Sequence, residues 1–498
     1  MLHTFAENTI DKRTERIILV VFLSVYLLGM LLVSSYTSPL YPYDYGGDSA
    51  IFSLVGKGIA NGKILYVDLF DHKGPILFFI EALGCLMGGR FGIWLLQCVF
   101  GAVNLLLLYY SWKLIRRKLG NSRLLDVIAI FIAGYSIFFY TFERGNLSEE
   151  FSLPFISGCL YLFVKYALRC SEKPRHPYLY SVVYGACLSV LMLIRINNAI
   201  SVCAGIVAIA GYLITRREYR NLLLNFGFGL LGCSVVCLPV VVYFHLNGAL
   251  DQMIYATFIY NFRYAGITGH QSILNHLWKY LVLYSPLLVS VLLYIIGVVK
   301  KRSCQKIAFI DVLIGCLLSS NLICLFVANI YPHYFAIFIP VYTLVLSYYW
   351  MLRVKTKELI LIVICVLLNL YQVAYYFGAA VYTNYITRST VQLSEGICSG
   401  VEQIPSEERD SVIGYNIPSK YYLLGNLLPC HKYYTFQEWW STADPSIHQE
   451  FIAWLENESC LWLLVEPEED NEEILQIIAS KYELKFENEY LAFYRLRE

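Results

Sequence analysis

Apolar runs of membrane length alternate with short polar loops over the first three-quarters of the chain. Segments at about 17–35, 91–112, 124–142, 148–168, 178–194, 197–214, 221–246, 277–299, 307–330, 333–352 and 358–381 each read as a crossing helix. A crossing takes about 20 predominantly apolar residues. One further run, Pro75–Met87, holds only about 13 residues and is too short to span; it reads as a juxtamembrane helix on the outer face. After residue 381 the pattern changes: Ser411–Tyr415 and Cys460–Glu466 read as strands, while His448–Asn457 and Asn471–Lys481 carry helical periodicity. Glu483–Arg495 alternates like a hairpin or an edge strand pair. The expected fold is an all-α polytopic membrane domain of about eleven transmembrane helices plus juxtamembrane helices (residues 1–381), then a small C-terminal α/β domain (382–498).

Composition agrees. The 498 residues are 58% hydrophobic and only 15% charged, where a soluble chain carries about 25%, and the mean hydropathy is +0.55. A soluble cytosolic enzyme, a disordered scaffold and a disulfide-stapled secreted domain are excluded. The net charge of +1 conceals an asymmetry. Residues 382–498 hold 8 Lys and Arg against 20 Asp and Glu, which leaves 30 against 17 for the first 381. The acidic tail repels phosphate backbones and argues against a nucleic-acid partner. The 15 cysteines show no CxxC or CxxH spacing and lie mostly in apolar runs, where Cys is a small hydrophobe. The 42 tyrosines suit interfacial anchoring in membrane lipid.

Charge also orients the chain. Lys12, Arg13 and Arg16 precede the first run, which reads as an uncleaved signal anchor with a cytoplasmic N-terminus. With the clusters at 113–123, 165–175, 216–220, 300–306 and 353–357 they make 22 basic residues on one side, against seven in the intervening loops. The positive-inside rule makes the 22 cytoplasmic. Loop 36–74 is then outside, and eleven crossings put the acidic tail outside as well.

The first outer loop is the densest in chemistry. Asp44, Asp48, Asp68 and Asp71 fall within 28 residues, beside His72 and Lys73. Gly46-Gly47 permits a tight turn before Asp48, and Ser49–Ala60 reads as an amphipathic helix with Ile51, Phe52, Leu54, Val55 and Ile59 offered to the membrane side. Asp48 would sit at its N-terminus, where the helix dipole favours a carboxylate, as a simple cap or as a reacting group. Asp71-His72-Lys73-Gly74-Pro75 opens the next helix. Such groups suit a reaction in which a base takes a hydroxyl proton while cations receive a departing phosphate.

Three other outer clusters are candidates to complete the site. Glu149 and Glu150 follow Glu143-Arg144-Gly145-Asn146 in a very short turn, as solvated turn residues or as costly boundary acids with a purpose. Arg195 in the Arg195-Ile196-Asn197-Asn198 turn either snorkels or meets an anion, and His333 lies in the Tyr331-Pro332-His333-Tyr334 turn. The aromatic loop 247–276, with Asn261, Arg263 and Tyr264, reads as interfacial packing or as a cover over a lipid-linked substrate.

In order, GGDSAIF, DLFDHKGPILFF, RGNLSEE, IRINN and YPHYF resemble successive motifs of bacterial glycosyltransferase-C superfamily proteins, relatives of the protein O-mannosyltransferases and aminoarabinose transferases. The resemblance runs from about Gly46 to Pro340. It implies a glycosyltransferase-C fold and transfer, with inversion, of a sugar from a polyprenyl-phosphate donor on the exoplasmic face. The acceptor would be a hydroxyl or amine of a glycan, lipid or protein. It also implies Asp48 as base or acceptor ligand, with Asp71 or His72 at a second acidic position and Lys73 at the phosphate. The family's Lys-Pro-Pro run is not reproduced, because His72 is inserted and Gly74 replaces a proline. Glu149 is a further catalytic candidate, and Arg195 and His333 are further phosphate partners. No cofactor is called for; a divalent cation stays undecided, with Asp48, Asp71 and Glu149 as its ligands if one binds. No nucleotide-binding glycine motif occurs. Other classes are a transporter or flippase of lipid-linked saccharides, which would want ionisable groups near the midplane, and an O-antigen-type polymerase or ligase.

Overall fold

A computed structural model describes residues 11–119, 142–267, 277–302, 308–327, 331–351, 377–436, 438–457 and 460–497, with five isolated positions between 360 and 375. The expected crossing 124–142 lies almost wholly, and 358–381 largely, outside the described residues.

The described chain divides into two compact units. The first comprises Met1–Ser34, Gln97–Val240 and His270–Phe377; the second comprises Ser35–Leu96, Val241–Gly269 and Gly378–Glu498.

Helices dominate the first unit. Among the described residues three helices, Arg90–Lys118, Ile196–Thr215 and Tyr219–Leu246, are long and apolar enough to cross a membrane. Three shorter apolar helices lie in the same unit, at Tyr178–Ile194, Tyr284–Val299 and Phe309–Leu325, and a fourth, Pro75–Leu86, lies in the second. Neutral polar pairs stitch neighbouring helices together: Ser157 donates to Asn104 at 2.6 Å and Asn321 to Ser201 at 2.9 Å. Such pairs hold helices where lipid offers no hydrophobic drive between them. At the start of the chain Glu15, 5% exposed, takes Lys113 at 2.9 Å and Arg116 at 3.5 Å, which ties the first helix to Arg90–Leu119. The run expected to cross from 333 opens instead as a 3-10 turn, Pro332–Phe338, and becomes α-helical at Ile339–Met351.

In the second unit the first loop folds into two helices, Gly47–Ala60 and Pro75–Leu86. The first begins two residues earlier than its sequence pattern suggests. Its apolar face is not offered to a membrane: Ile51, Phe52, Leu54 and Val55 are all buried inside the protein. The reason is the partner helix. Phe52 meets Phe78 with ring centroids 6.0 Å apart, and a Cβ on Gly56 would stand 2.5 Å from Glu81 Cβ. Contacts advance together along both helices, so the two run parallel.

The C-terminal segment carries a four-stranded sheet, β1 (Val412–Gly414), β2 (Trp462–Val465), β3 (Tyr482–Glu487) and β4 (Ala492–Leu496), in the order β1-β2-β4-β3. β1 pairs parallel with β2, and β4 lies antiparallel to both β2 and β3. The two expected strands, both expected helices and the terminal hairpin are all present. Asn471 caps Glu472–Lys481 by accepting from the backbone of Glu473 and Ile474. A further helix, Ser389–Val401, packs Gly400 against Phe493 of β4.

Gly56 generates a stability test. Gly56→Ala drives a methyl into Glu81 and is expected to cost about 1–3 kcal/mol, read as a lower melting temperature in detergent or nanodiscs. Gly47→Ala, with nothing within 4 Å of its added carbon, is expected to leave the melting temperature unchanged.

Candidate active site

Parallel packing of Gly47–Ala60 and Pro75–Leu86 has a direct consequence for charge. Position 52 is level with 78, so Asp48 is level with the Lys73–Pro75 entry to the second helix. Two helix N-termini therefore point the same way, side by side, and their unpaired N–H groups favour an anion. Gly46 is the cap of the first helix, and it must be glycine because a Cβ there would fall 2.4 Å from the Tyr36 ring. Asp48 lies in the first turn and caps nothing.

The four aspartates of this loop take different jobs. Asp44, 6% exposed, accepts from Asn384 at 2.6 Å. Asp68 closes a turn by accepting from the Ile64 N–H at 2.6 Å. Asp71, 2% exposed, accepts from the Lys73 N–H at 2.7 Å. Burial pushes its carboxyl upward, Lys73 opposes that, and the nearby charge of Asp48 adds to it. Among the described residues Asp48 has no hydrogen bond or ion pair, and it acts on Asp71 by this repulsion.

Lys73 is buried, and its ammonium meets the His72 Nε2 at 2.8 Å, which makes that nitrogen an acceptor. Both backbone carbonyls here are held from outside the loop's own helices. The Asn261 amide donates to the His72 carbonyl at 2.6 Å, and the Tyr66 hydroxyl donates to the Lys73 carbonyl at 2.7 Å. Thr257 donates in turn to the Tyr66 hydroxyl at 3.2 Å. The His72 ring lies 5.5 Å from that of Tyr264. Of the three aromatic-loop candidates, Asn261 and Tyr264 thus serve the Asp71–Lys73 segment. Arg263 is turned to Asp444, which it pairs with alongside Tyr255.

Glu149, Arg195 and His333 come together in the first unit. Arg195 is ion-paired with Glu149, and its guanidinium lies 3.9 Å over the Tyr334 ring. His333 pairs with Glu143 and stands edge-on to Tyr334 at 4.7 Å. The anionic partner of Arg195 is therefore a side chain of this protein. Asn198 holds its turn against the helix that begins at Ser148, donating to Ser152 at 2.8 Å. The loop between is strained: Glu143, Arg144, Gly145 and Asn146 all have positive φ, at 42°, 68°, 77° and 60°. Such a conformation costs about 1 kcal/mol or more per non-glycine residue. It is fixed because Arg144 donates to the Ser34 carbonyl at 2.9 Å and the Asn146 N–H donates to Glu150 at 2.9 Å.

Tyr66, Thr257, Glu143 and Asp444 emerge as supports that motif reading passes over. Tyr66 sits between two of the loop's acids in an otherwise apolar stretch, and a buried phenol at that place is its only sequence signal. Among the described residues no three His, Cys, Asp or Glu side chains gather closely enough to hold a metal ion.

Residues 72–244 match the family model of dolichyl-phosphate-mannose-protein mannosyltransferase. No curated protein sequence matches the chain. The fold resembles that of ArnT from Cupriavidus metallidurans bound to undecaprenyl phosphate, with 12% identity and a TM-score of 0.58 over 97% of this chain and 98% of that one. The apo state of that ArnT gives a TM-score of 0.57 at 12% identity, over 96% and 97%. AglB, the oligosaccharyltransferase of Archaeoglobus fulgidus in complex with an inhibitory peptide and a dolichol-phosphate, gives 0.50 at 12% identity, over 91% of this chain and 69% of that one. The chain carries the glycosyltransferase-C fold in its ArnT-like form, as the ordered motifs implied.

The Glu149–Arg195 pair yields a prediction. Glu149→Gln leaves a largely buried guanidinium without its counter-charge and is expected to cost about 3 kcal/mol or more, seen as a lower melting temperature. Glu149→Gln/Arg195→Met should recover much of that loss. Equal loss in the double variant would mean that the stranded guanidinium is not the source of the loss.

Proposed function

We propose that this chain is an integral-membrane glycosyltransferase that moves a sugar from a polyprenyl-phosphate donor to an acceptor hydroxyl or amine. The observation that carries the proposal is the pairing of two parallel helix N-termini, with Lys73 at one and Asp48 at the other. The mannosyltransferase family model begins at His72 and so takes in Lys73, and the similar ArnT was seen with undecaprenyl phosphate bound. The distribution of basic residues supports a cytoplasmic N-terminus and eleven crossings, with this loop, the C-terminal domain and hence the reaction on the exoplasmic side of the cell membrane.

Chemistry follows from charge. The acceptor oxygen or nitrogen attacks the anomeric carbon and passes its proton to the Asp48 carboxylate. The bond from that carbon to the phosphate oxygen breaks, and its electron pair leaves with the polyprenyl phosphate. A single displacement of this kind inverts the anomeric centre. The leaving phosphate gains charge, and the Lys73 ammonium with the N–H groups at the start of Pro75–Leu86 is placed to receive it. Asp71 is occupied with the Lys73 backbone, so its part is to hold the phosphate-binding turn. His72 holds the ammonium. Arg195 and His333, paired with Glu149 and Glu143, are proposed as further phosphate partners.

Asp48→Asn removes the base but keeps the shape. It is expected to lower turnover by about 10²–10⁴-fold while leaving donor affinity and the melting temperature near wild type, measured as release of free polyprenyl phosphate in nanodiscs. Undiminished release by Asp48→Asn would end the assignment. A pH profile gives a second check. Asp71 is raised above the ordinary value of 3.8, so it takes up its proton sooner as pH falls. The acid limb of turnover is therefore expected above pH 3.8.

A further inference from the structure

The loop that carries Asp71, His72 and Lys73 is not held by its own neighbours alone. Phe70, the residue before it, is 3% exposed and sits in a socket of four aromatic rings. Its ring meets Tyr260, Tyr433 and Trp440 edge-to-face at 5.5, 5.4 and 5.5 Å, and Tyr255 at 6.4 Å. The Phe70 N–H also donates to the Lys432 carbonyl at 2.9 Å. Two walls of this socket come from the aromatic loop and two from the C-terminal segment more than 360 residues away. The walls are themselves joined, because the Tyr260 hydroxyl donates to the Trp440 carbonyl at 3.1 Å.

We propose that Tyr433 and Trp440 are positioning residues of the active site, acting through Phe70 to fix where the Asp71 carboxylate and the Lys73 ammonium stand. The inference rests on the reading of Asp48 and Lys73 as the reacting groups. Its physical content is geometric. Edge-to-face rings restrict both the place and the tilt of Phe70, and from Phe70 one residue leads to Asp71 and three lead to Lys73. Asn261 and Tyr66 fix the carbonyls of His72 and Lys73, so the segment is gripped at 70, 72 and 73. Loss of one grip lets the ammonium shift by an ångström, and a misplacement of that size costs on the order of 100-fold in rate. The C-terminal segment is thereby a working part of the catalytic loop.

The test uses the full-length protein in nanodiscs, comparing wild type with Trp440→Leu, Tyr433→Leu and Trp440→Phe. Amide hydrogen exchange is followed over residues 66–74 and over β1 and β2, and donor turnover is measured in parallel. In both leucine variants exchange of 66–74 is expected to rise while that of the strands holds. Turnover number should fall about 10- to 100-fold, with the KM for donor within about twofold. Trp440→Phe should restore most of the rate. Wild-type exchange at 66–74 together with wild-type turnover in a folded leucine variant would overturn the proposal. If wild type itself releases no polyprenyl phosphate, the transferase reading fails, and hydrogen exchange still decides the socket. If neither leucine variant folds, Phe70→Leu opens the socket from the loop side, and unchanged exchange of 66–74 in it would equally overturn the proposal.

Discussion

Gly56 is the point on which the arrangement of charge depends. A hydrogen in place of a side chain lets Gly47–Ala60 come within backbone distance of Glu81 and Ala82, and that approach sets the register of two parallel helices. Parallel neighbours are unusual across so short a connection, because a chain that reverses between helices ordinarily packs them antiparallel. Here the linker, residues 61–74, carries the chain back to the starting level before the second helix begins. Two positive helix ends are the result, together with the carboxylate and the ammonium that their first turns carry. A site for a substrate with a phosphate and a proton to lose requires little more.

Three of the four aspartates of the first loop are committed elsewhere. Asp44 and Asp68 are spent on Asn384 and on a turn, and Asp71 on the backbone of Lys73. In the first unit the acids between 143 and 150 likewise have partners: Glu143 has His333, Glu149 has Arg195, and Glu150 accepts from Gln97 at 2.8 Å. Against such thorough pairing Asp48 stands out, a half-exposed carboxylate in the first turn of its helix with no hydrogen bond or ion pair among the described residues. The four left-handed residues at 143–146 belong to the same economy, because the strained turn is what aims Glu143 and Asn146 at their partners.

Much of this was legible in the chain. The short apolar run after Gly74 is the twelve-residue helix Pro75–Leu86, and the four strands fall on the runs read at 411–415 and 460–466 and the alternating stretch at the chain's end. Five short motifs in order pointed to the glycosyltransferase-C fold before any coordinate. Three things were not legible. The apolar face of Gly47–Ala60 looks the same whether lipid or protein covers it, so periodicity alone could not show that Phe52 meets Phe78. Which aspartates are engaged depends on partners as remote as Asn384. Residues such as Tyr433 and Trp440 act over more than 360 positions of sequence, and nothing local marks an aromatic ring as one wall of a socket.

The most direct measurement is photo-crosslinking with a polyprenyl phosphate that carries its reactive group beside the phosphate, followed by mass mapping of the labelled peptides. The account predicts labels concentrated in residues 46–75, lost on competition with unlabelled polyprenyl phosphate and weakened by Lys73→Gln. Labels confined to lipid-facing stretches such as Tyr219–Leu246, indifferent to the competitor and to Lys73→Gln, would contradict it.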